Sequence, residues 1–281
     1  MKKIKVKVPA KINLTLDILG AEKGYHNLKS LVASINIYDT ITIKRRTDWD
    51  VTLVNKGIDP NCDKLSNNAY KAAKLFSDTF ITEGVDIVIQ KNIPVGAGLG
   101  GSSADVAGVL NGMKAMFAPD KDVVGLANTL GSDCAYMLNG GWAIMSGKGD
   151  KVDFKKVDKT LYLIIILARN GVSSGACYKK FDSLKKISKP CTDKTYKAFM
   201  ENEFEKFCSC AKNDLYAPAK YFVEELDFNE KALKKAGAPL VVMTGSGSAM
   251  LGVFIDKKQR DKVYKTLKPI YKQEILKAQT L

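Results

Sequence analysis

Between Pro94 and Asp105 the chain reads PVGAGLGGSSAD, with glycine at 96, 98, 100 and 101 and serine at 102 and 103. So much glycine is unfavourable inside a helix or strand, and it frees the backbone for left-handed turns and for close approach of a ligand. From Ser103 onward the pattern changes: Val106, Leu110, Met113 and Phe117 fall at helical spacing. Ser102 with Asp105 matches the S-x-x-D capping pattern at the start of that helix. A glycine stretch feeding a helix N-terminus suits an anion, because unpaired N–H groups and the positive end of the helix dipole meet there. The two hydroxyls add donors, and the missing side chains admit a polyphosphate to the backbone.

The same letters satisfy G-x-G-x-x-G, but a dinucleotide turn follows directly from the first strand of its fold. Here KNIP separates the strand VDIVIQ from the glycines, and Pro94 cannot join a sheet ladder. Asp120 stands about 20 residues beyond Gly101, yet it lies in FAPDKD, which reads as a turn. GWAIMSGKG at 141–149 resembles a Walker loop with spacing one residue too long, and Gly149 sits where a Ser or Thr would hold magnesium.

The remainder of the chain narrows the class. Of 44 basic residues only Arg45, Arg46, Arg169 and Arg260 are arginine, and the net charge is +14. Lysines strewn among acids, with no aromatic-basic patch, argue for a solvated surface that attracts phosphorylated small molecules, not for a specific nucleic-acid partner. No apolar run approaches the roughly 20 residues that span a bilayer, so no membrane partner is expected. MKKIKVKVPAKINL alternates like a strand and lacks the apolar core of a signal peptide. The expected location is the cytoplasm, or a plastid if a transit peptide has been removed. The six cysteines form no C-x-x-C pair, and His26 is the single histidine, so a zinc site is not expected.

KIKVKV, TITIKRR, WDVTLV and VDIVIQ read as strands, followed by two helical stretches after the glycine loop. LYLIIILA opens the second half, 179–235 is helical, and LVVMTG and MLGVFID are short strands before a basic helix. The charged stretch 147–159 is read as a linker. Strands and helices interleave without a steady βαβ rhythm, which predicts an α+β fold.

Pro94 through Ala104, as P-x-x-x-G-L-G followed by S-S-A, resembles the ATP-phosphate loop of the GHMP kinases. One extra glycine, Gly101, is similar to the form found in the branch whose acceptor carries a cytidine diphosphate group. That branch often has a glycine where Ser102 stands and a serine where Ala104 stands. PAKINL with GYH (9–31) resembles the branch's N-terminal motif, with Lys23 in place of an acid. GSDCAYML (131–138), NDLYAPA (213–219) and MTGSGSAMLGVF (243–254) resemble further blocks, with Tyr216 where an acid is common.

The resemblance implies a two-lobed architecture, an N-terminal ATP-binding lobe at 1–155 and a C-terminal lobe at 156–281, with the active site in the cleft between lobes. It implies ATP as co-substrate, magnesium with it, and a small-molecule alcohol as acceptor. The acceptor would be a cytidine diphosphate derivative of methylerythritol, phosphorylated at its 2-hydroxyl in non-mevalonate isoprenoid precursor synthesis. A sibling kinase acting on mevalonate or homoserine is the alternative. Asp133 would be the general base and Lys11 its neighbour, offsetting charge on the transferring phosphoryl group. Pro94, Gly96, Ala97, Gly98, Leu99, Gly100, Gly101, Ser102, Ser103, Ala104 and Asp105 would hold ATP with Asn67 and Lys91, Ser66 replacing a common acid. Asn13, Tyr25, His26 and Tyr178 would hold the acceptor, the aromatic rings stacking on the base and the histidine reading its edge.

Overall fold

The computed structural model describes residues 2–22, 24–60, 62–184, 189–272 and 274–281. Lys23 therefore lies outside the described residues. The chain forms two compact units that interleave in sequence. One takes Ile37–Val95 and Gly100–Gly140 with the chain up to Ala10; the other takes Lys11–Asn36, Gly96–Leu99 and Gly141–Leu281. Against the expectation of contiguous lobes at 1–155 and 156–281 stands the course of two long strands, β1 (Lys3–Asn13) and β3 (Tyr25–Arg45), each of which contributes to both units.

In the first unit, Thr40–Arg45 of β3 pair antiparallel with β5 (Val85–Lys91), and β4 (Val51–Gly57) runs parallel to β5. β5 alternates cleanly, with Val85, Ile87 and Ile89 fully buried. Helices α1 (Asn68–Phe80), α2 (Gly101–Phe117), α3 (Val124–Leu130) and α4 (Cys134–Met137) complete it. α2 is buried on most of its surface: Val106, Leu110 and Met113 are fully covered, as the spacing predicts, while Phe117 is half-buried. It lies so close to the sheet that side chains at Gly108 and Gly112 would run into Ile41 and Ile43. Truncating a side chain such as Leu110 in this packing costs about 2–5 kcal/mol.

In the second unit, Leu28–Ala33 of β3 pair with β6 (Trp142–Gly147), and β2 (Asp17–Glu22) pairs with the start of β3. β7 (Lys151–Lys155) adds to β6 antiparallel, in the stretch expected to be a linker. The linker reading is corrected: Val152 and Phe154 do alternate with charged neighbours, but both remain partly exposed on an edge strand. A separate four-stranded antiparallel sheet has the order β11-β8-β10-β9, from β8 (Tyr162–Ile166), β9 (Leu240–Met243), β10 (Met250–Phe254) and β11 (Ile275–Gln279). α9 (Glu225–Lys235) and α10 (Lys257–Tyr271) pack on it and share one hydrophobic cluster with α5 (Ser174–Ser183) and α8 (Tyr216–Phe222), whereas α6 (Thr192–Met200) and α7 (Phe204–Cys210) pack on each other, with Phe199 stacked on Trp142 of β6. Among the described residues no helix is long and apolar enough to cross a membrane.

Candidate active site

β5 delivers the chain to the glycine loop. Just past its end, the backbone N–H groups of Asn92 and Ile93 donate to one oxygen of Asp39, at 2.6 and 2.9 Å. Gly100, at φ 73°, is the N-cap residue of α2. No side chain caps this helix, so the capping-box reading of Ser102 and Asp105 is corrected. Asp105 turns inward instead and accepts from Lys91 Nζ at 2.7 Å. Ser102 is exposed and accepts from Asn68 Nδ2 at 3.1 Å. Ser103, half-buried, meets the Cys134 thiol through a side-chain hydrogen bond. Burial pushes that thiol up to about 11, so it stays protonated and unreactive.

Asp133 immediately precedes Cys134 and is the N-cap residue of α4, with no side-chain cap bond. The Ser103–Cys134 contact brings the start of α4, where Asp133 stands, beside the start of α2. Asn67 caps α1, its Oδ1 accepting from Ala69 N at 2.9 Å. Lys91 is 3% exposed and bonded to Asp39 at 2.5 Å as well as to Asp105. In the first unit, Asn67, Gly100 and Asp133 are the N-cap residues of three helices, α1, α2 and α4, and Lys91 bonds Asp105 in the first turns of α2.

In the second unit, Gly96–Leu99 lie along the glycine-rich turn that follows β9. Ala249 N donates to Ala97 O at 3.1 Å, Thr244 Oγ1 donates to Gly98 O at 3.3 Å, and Lys11 N donates to Leu99 O at 3.0 Å. Gly98 has φ 76°, and a side chain there would strike the Thr244 carbonyl. Buried Asn13 ties these pieces together. Its Oδ1 accepts from Lys11 Nζ at 2.6 Å and from Gly245 N at 3.1 Å, and its Nδ2 donates to Ser30 Oγ at 2.7 Å. Asn213 secures the far side of the same turn by donating to the Met243 and Gly245 carbonyls, both at 2.8 Å.

At the start of β3, Tyr25 is exposed and the Lys148 ammonium sits 3.8 Å from its ring centroid. His26 stacks on Tyr178, centroids 4.7 Å apart and planes 24° apart, with Phe181 edge-on at 6.3 Å. His26 Nε2 lies 2.7 Å from Asp182 Oδ1. Tyr178, Phe181 and Asp182 share one face of α5, being three and four residues apart. Strand alternation puts His26 and Ser30 on the same face of β3, roughly 13 Å apart. The second unit thus joins Lys11 with Asn13 on β1, and His26 of β3 with Tyr178 of α5, with Ser30 of β3 bonded to Asn13.

Asp39, Ser30, Asn68 and Asp182 carry no motif of their own and were not legible as site residues. Only their polar side chains at otherwise apolar or aromatic stretches mark them.

In the first unit a glycine stretch enters the N-terminus of α2, and in the second a buried lysine is held beside a glycine-rich turn; each is a feature that phosphate-handling proteins use. Residues 67–146 match the GHMP kinases N terminal domain. The 4-diphosphocytidyl-2-C-methyl-D-erythritol kinase of Clostridium tetani is 34% identical over 275 residues, 96% of this chain and 98% of that one. The kinase of the same name from Clostridium beijerinckii is 35% identical over 96% of this chain and 97% of its own. A crystal structure of 4-(cytidine 5'-diphospho)-2C-methyl-D-erythritol kinase superposes with TM-score 0.82 at 26% identity, covering 98% of each chain. Homoserine kinase from Cytophaga hutchinsonii, at 18% identity and TM-score 0.76 over 100% of this chain and 95% of its own, shares the fold. The chain belongs to the GHMP kinases, a family of small-molecule kinases that use ATP as phosphate donor.

Proposed function

We propose that the chain transfers the γ-phosphoryl group of ATP to the 2-hydroxyl of 4-diphosphocytidyl-2-C-methyl-D-erythritol, a step of non-mevalonate isoprenoid precursor synthesis in the cytoplasm. The observation that carries the acceptor reading is the imidazole of His26, stacked on Tyr178 and fixed by Asp182 beside Tyr25. A flat base needs an aromatic surface and a polar group at its edge, and this cluster offers both. The roughly 13 Å of strand from His26 to Ser30, which bonds Asn13, suits the length of a nucleoside diphosphate ester.

Phosphoryl transfer needs positioning and charge stabilisation more than covalent chemistry. The backbone of Pro94–Ala104, with the Ser102 and Ser103 hydroxyls, grips the β- and γ-phosphates. Asp133 takes the proton of the acceptor hydroxyl. The Lys11 ammonium, oriented by Asn13, offsets the charge that grows on the transferring group. Tyr25 and Tyr178 hold the base, and Asn13 steadies the acceptor end of the pocket.

Magnesium arriving with the nucleotide would take one or two protein oxygens, the rest of its shell coming from phosphate and water. The Ser102 and Ser103 hydroxyls at the α2 N-terminus are donors of that kind, and among the described residues no acidic cluster forms a separate metal site. When bound, the ion neutralises charge on the phosphates.

A coupled ADP-release assay over a panel of alcohols tests the reading. The cytidylylated methylerythritol is expected to be turned over in preference to mevalonate and homoserine. Asp133→Asn is expected to lose about 100-fold to 10,000-fold in kcat. Equal turnover of an acceptor lacking cytosine, or full activity in Asp133→Asn, would refute it.

A further inference from the structure

Lys91 and Asp105, read from sequence as ATP contacts, are both turned into the protein, and a third residue completes their environment. Lys91 Nζ lies 2.5 Å from Asp39 Oδ2 and 2.7 Å from Asp105 Oδ2, and the three side chains are 3%, 0% and 8% exposed. None of them presents a charged atom to a ligand. What they touch is the loop itself. Asp39 Oδ1 accepts from the N–H groups of Asn92 and Ile93, the two residues that lead into Pro94. Asp105 belongs to the first turns of α2, where the loop ends. Between them, a Cβ placed on Gly101 would sit 3.5 Å from Lys91 Nζ and 3.1 Å from Ile93 Cγ2, so the ammonium lies directly beneath the helix start.

We propose that Asp39, Lys91 and Asp105 form a buried clamp that fixes both ends of the loop 94–105 to one ammonium, making all three positioning residues for the nucleotide phosphates. The inference rests on the reading of that loop as the ATP-phosphate site. Its physical basis is pre-organisation. The N–H groups of a glycine-rich segment hold an anion well only if their directions are set before it arrives, and the four glycines supply no side-chain packing to set them. A buried cation shared by two carboxylates supplies that constraint from below. Its strength comes from low local dielectric, and its cost is the desolvation of three charges. One oxygen of Asp105 has no hydrogen-bond partner and is fully covered. That oxygen lies against the buried Lys91–Asp39 pair with nothing else to satisfy it, a cost that an ordinary surface ion pair does not carry.

The test uses Asp105→Asn in the full chain. The variant keeps the shape and one acceptor while breaking the charge bridge. Nucleotide affinity is read by calorimetry for ATP and for adenosine, and steady-state constants are read for ATP and for the alcohol. The clamp predicts that ATP binding and the KM for ATP worsen by about tenfold or more, while adenosine affinity and the KM for the alcohol stay within about twofold. Equal losses for ATP and adenosine would mean a direct contact with the nucleoside and would overturn the clamp. So would an unchanged ATP constant in a folded variant. If Asp105→Asn fails to fold by circular dichroism, Lys91→Arg takes its place: a guanidinium still spans two carboxylates but resets their separation, and the same split between ATP and adenosine is expected. Absence of ATP binding by the wild-type chain would overturn the clamp together with the loop reading. ATP binding without turnover of the cytidine acceptor would remove the substrate reading alone.

Discussion

The imidazole of His26 is held from two directions by one helix: Asp182 accepts at Nε2 over 2.7 Å, and Tyr178, one turn earlier, stacks on the ring. A carboxylate acceptor places the ring proton on Nε2 and leaves Nδ1 as an acceptor. An acceptor there matches the exocyclic amine of cytosine and opposes the carbonyl of uracil. Asp182→Ala is expected to raise the KM for the cytidine-bearing alcohol by about tenfold and to erode discrimination against its uridine counterpart. The KM for ATP is expected to stay put. Unchanged discrimination in the variant would show that the tautomer is set by something else.

Asn13 was expected to touch the acceptor, and the structure shows its side chain already bonded to Lys11, Gly245 and Ser30. Asn13→Ala would leave the buried Gly245 N–H without its acceptor, costing about 1–3 kcal/mol. It would also remove one anchor of the Lys11 ammonium, so kcat is expected to fall on the order of 100-fold. Asn13→Asp keeps the acceptor oxygen and is expected to retain more activity than Asn13→Ala. Measuring kcat with urea midpoints for both variants separates the two effects. The reverse ranking would argue against an orienting role.

The contrast between these residues and the glycine loop shows what a sequence discloses. The loop, the α2 helix and the strands VDIVIQ and LYLIIILA were legible because their signals are local: glycine spacing, helical period, alternation. Asp39 was not, because it meets Lys91 from 52 residues away and contacts Asn92 from 53. Nothing near Asp39 distinguishes it from a surface acid. Asp105 was misread for a related reason. The S-x-x-D pattern is a local signal for a cap, and a buried ammonium outcompetes a helix N–H for a carboxylate. β7 escaped notice because an edge strand with exposed faces needs little apolar content, so its charges looked like a linker. The interleaving of the two units was likewise invisible, since a long strand gives no sign of where it leaves one unit for the other.

Glycine at 98 and glycine at 125 make opposite predictions. Gly98 has φ 76° and faces the Thr244 carbonyl, whereas a Cβ on Gly125, in α3, meets nothing within 4 Å. Gly98→Ala is expected to destabilise by about 1–2 kcal/mol from backbone strain alone. Because Gly98 lies in the phosphate loop, the KM for ATP should rise with it. Gly125→Ala is expected to stabilise by about 0.5 kcal/mol by restricting the unfolded chain, with kinetics unchanged. Thermal melts and ATP saturation curves on the two variants check both. A neutral Gly98→Ala would mean that the loop lies away from the Thr244 turn in solution.

The buried cluster also predicts a pH dependence of stability. Burial pushes Asp105 up to about 7, with Lys91 opposing and the Asp39 charge adding to the rise. The ordinary value for this carboxyl is 3.8, so the folded state binds the proton more tightly than the unfolded chain. The contribution to stability is therefore fully present below about 3.8 and is lost as pH rises through about 7. Lys91 is raised: burial alone would lower it, but Asp105 and Asp39 together more than offset that. Its contribution is constant below its ordinary value of 10.5 and is lost only at higher pH, which leaves the window between pH 4 and 8 to the aspartate. Asp105→Asn removes that titration. Urea midpoints taken at pH 5, 6, 7 and 8 should show the wild type losing stability relative to Asp105→Asn as pH rises, by on the order of 3 kcal/mol at most between pH 5 and 8. Most of the change should be complete by pH 8. Parallel curves for the two proteins would mean that Asp105 is ionised throughout, and that the Lys91 bridge carries two full negative charges even in mild acid.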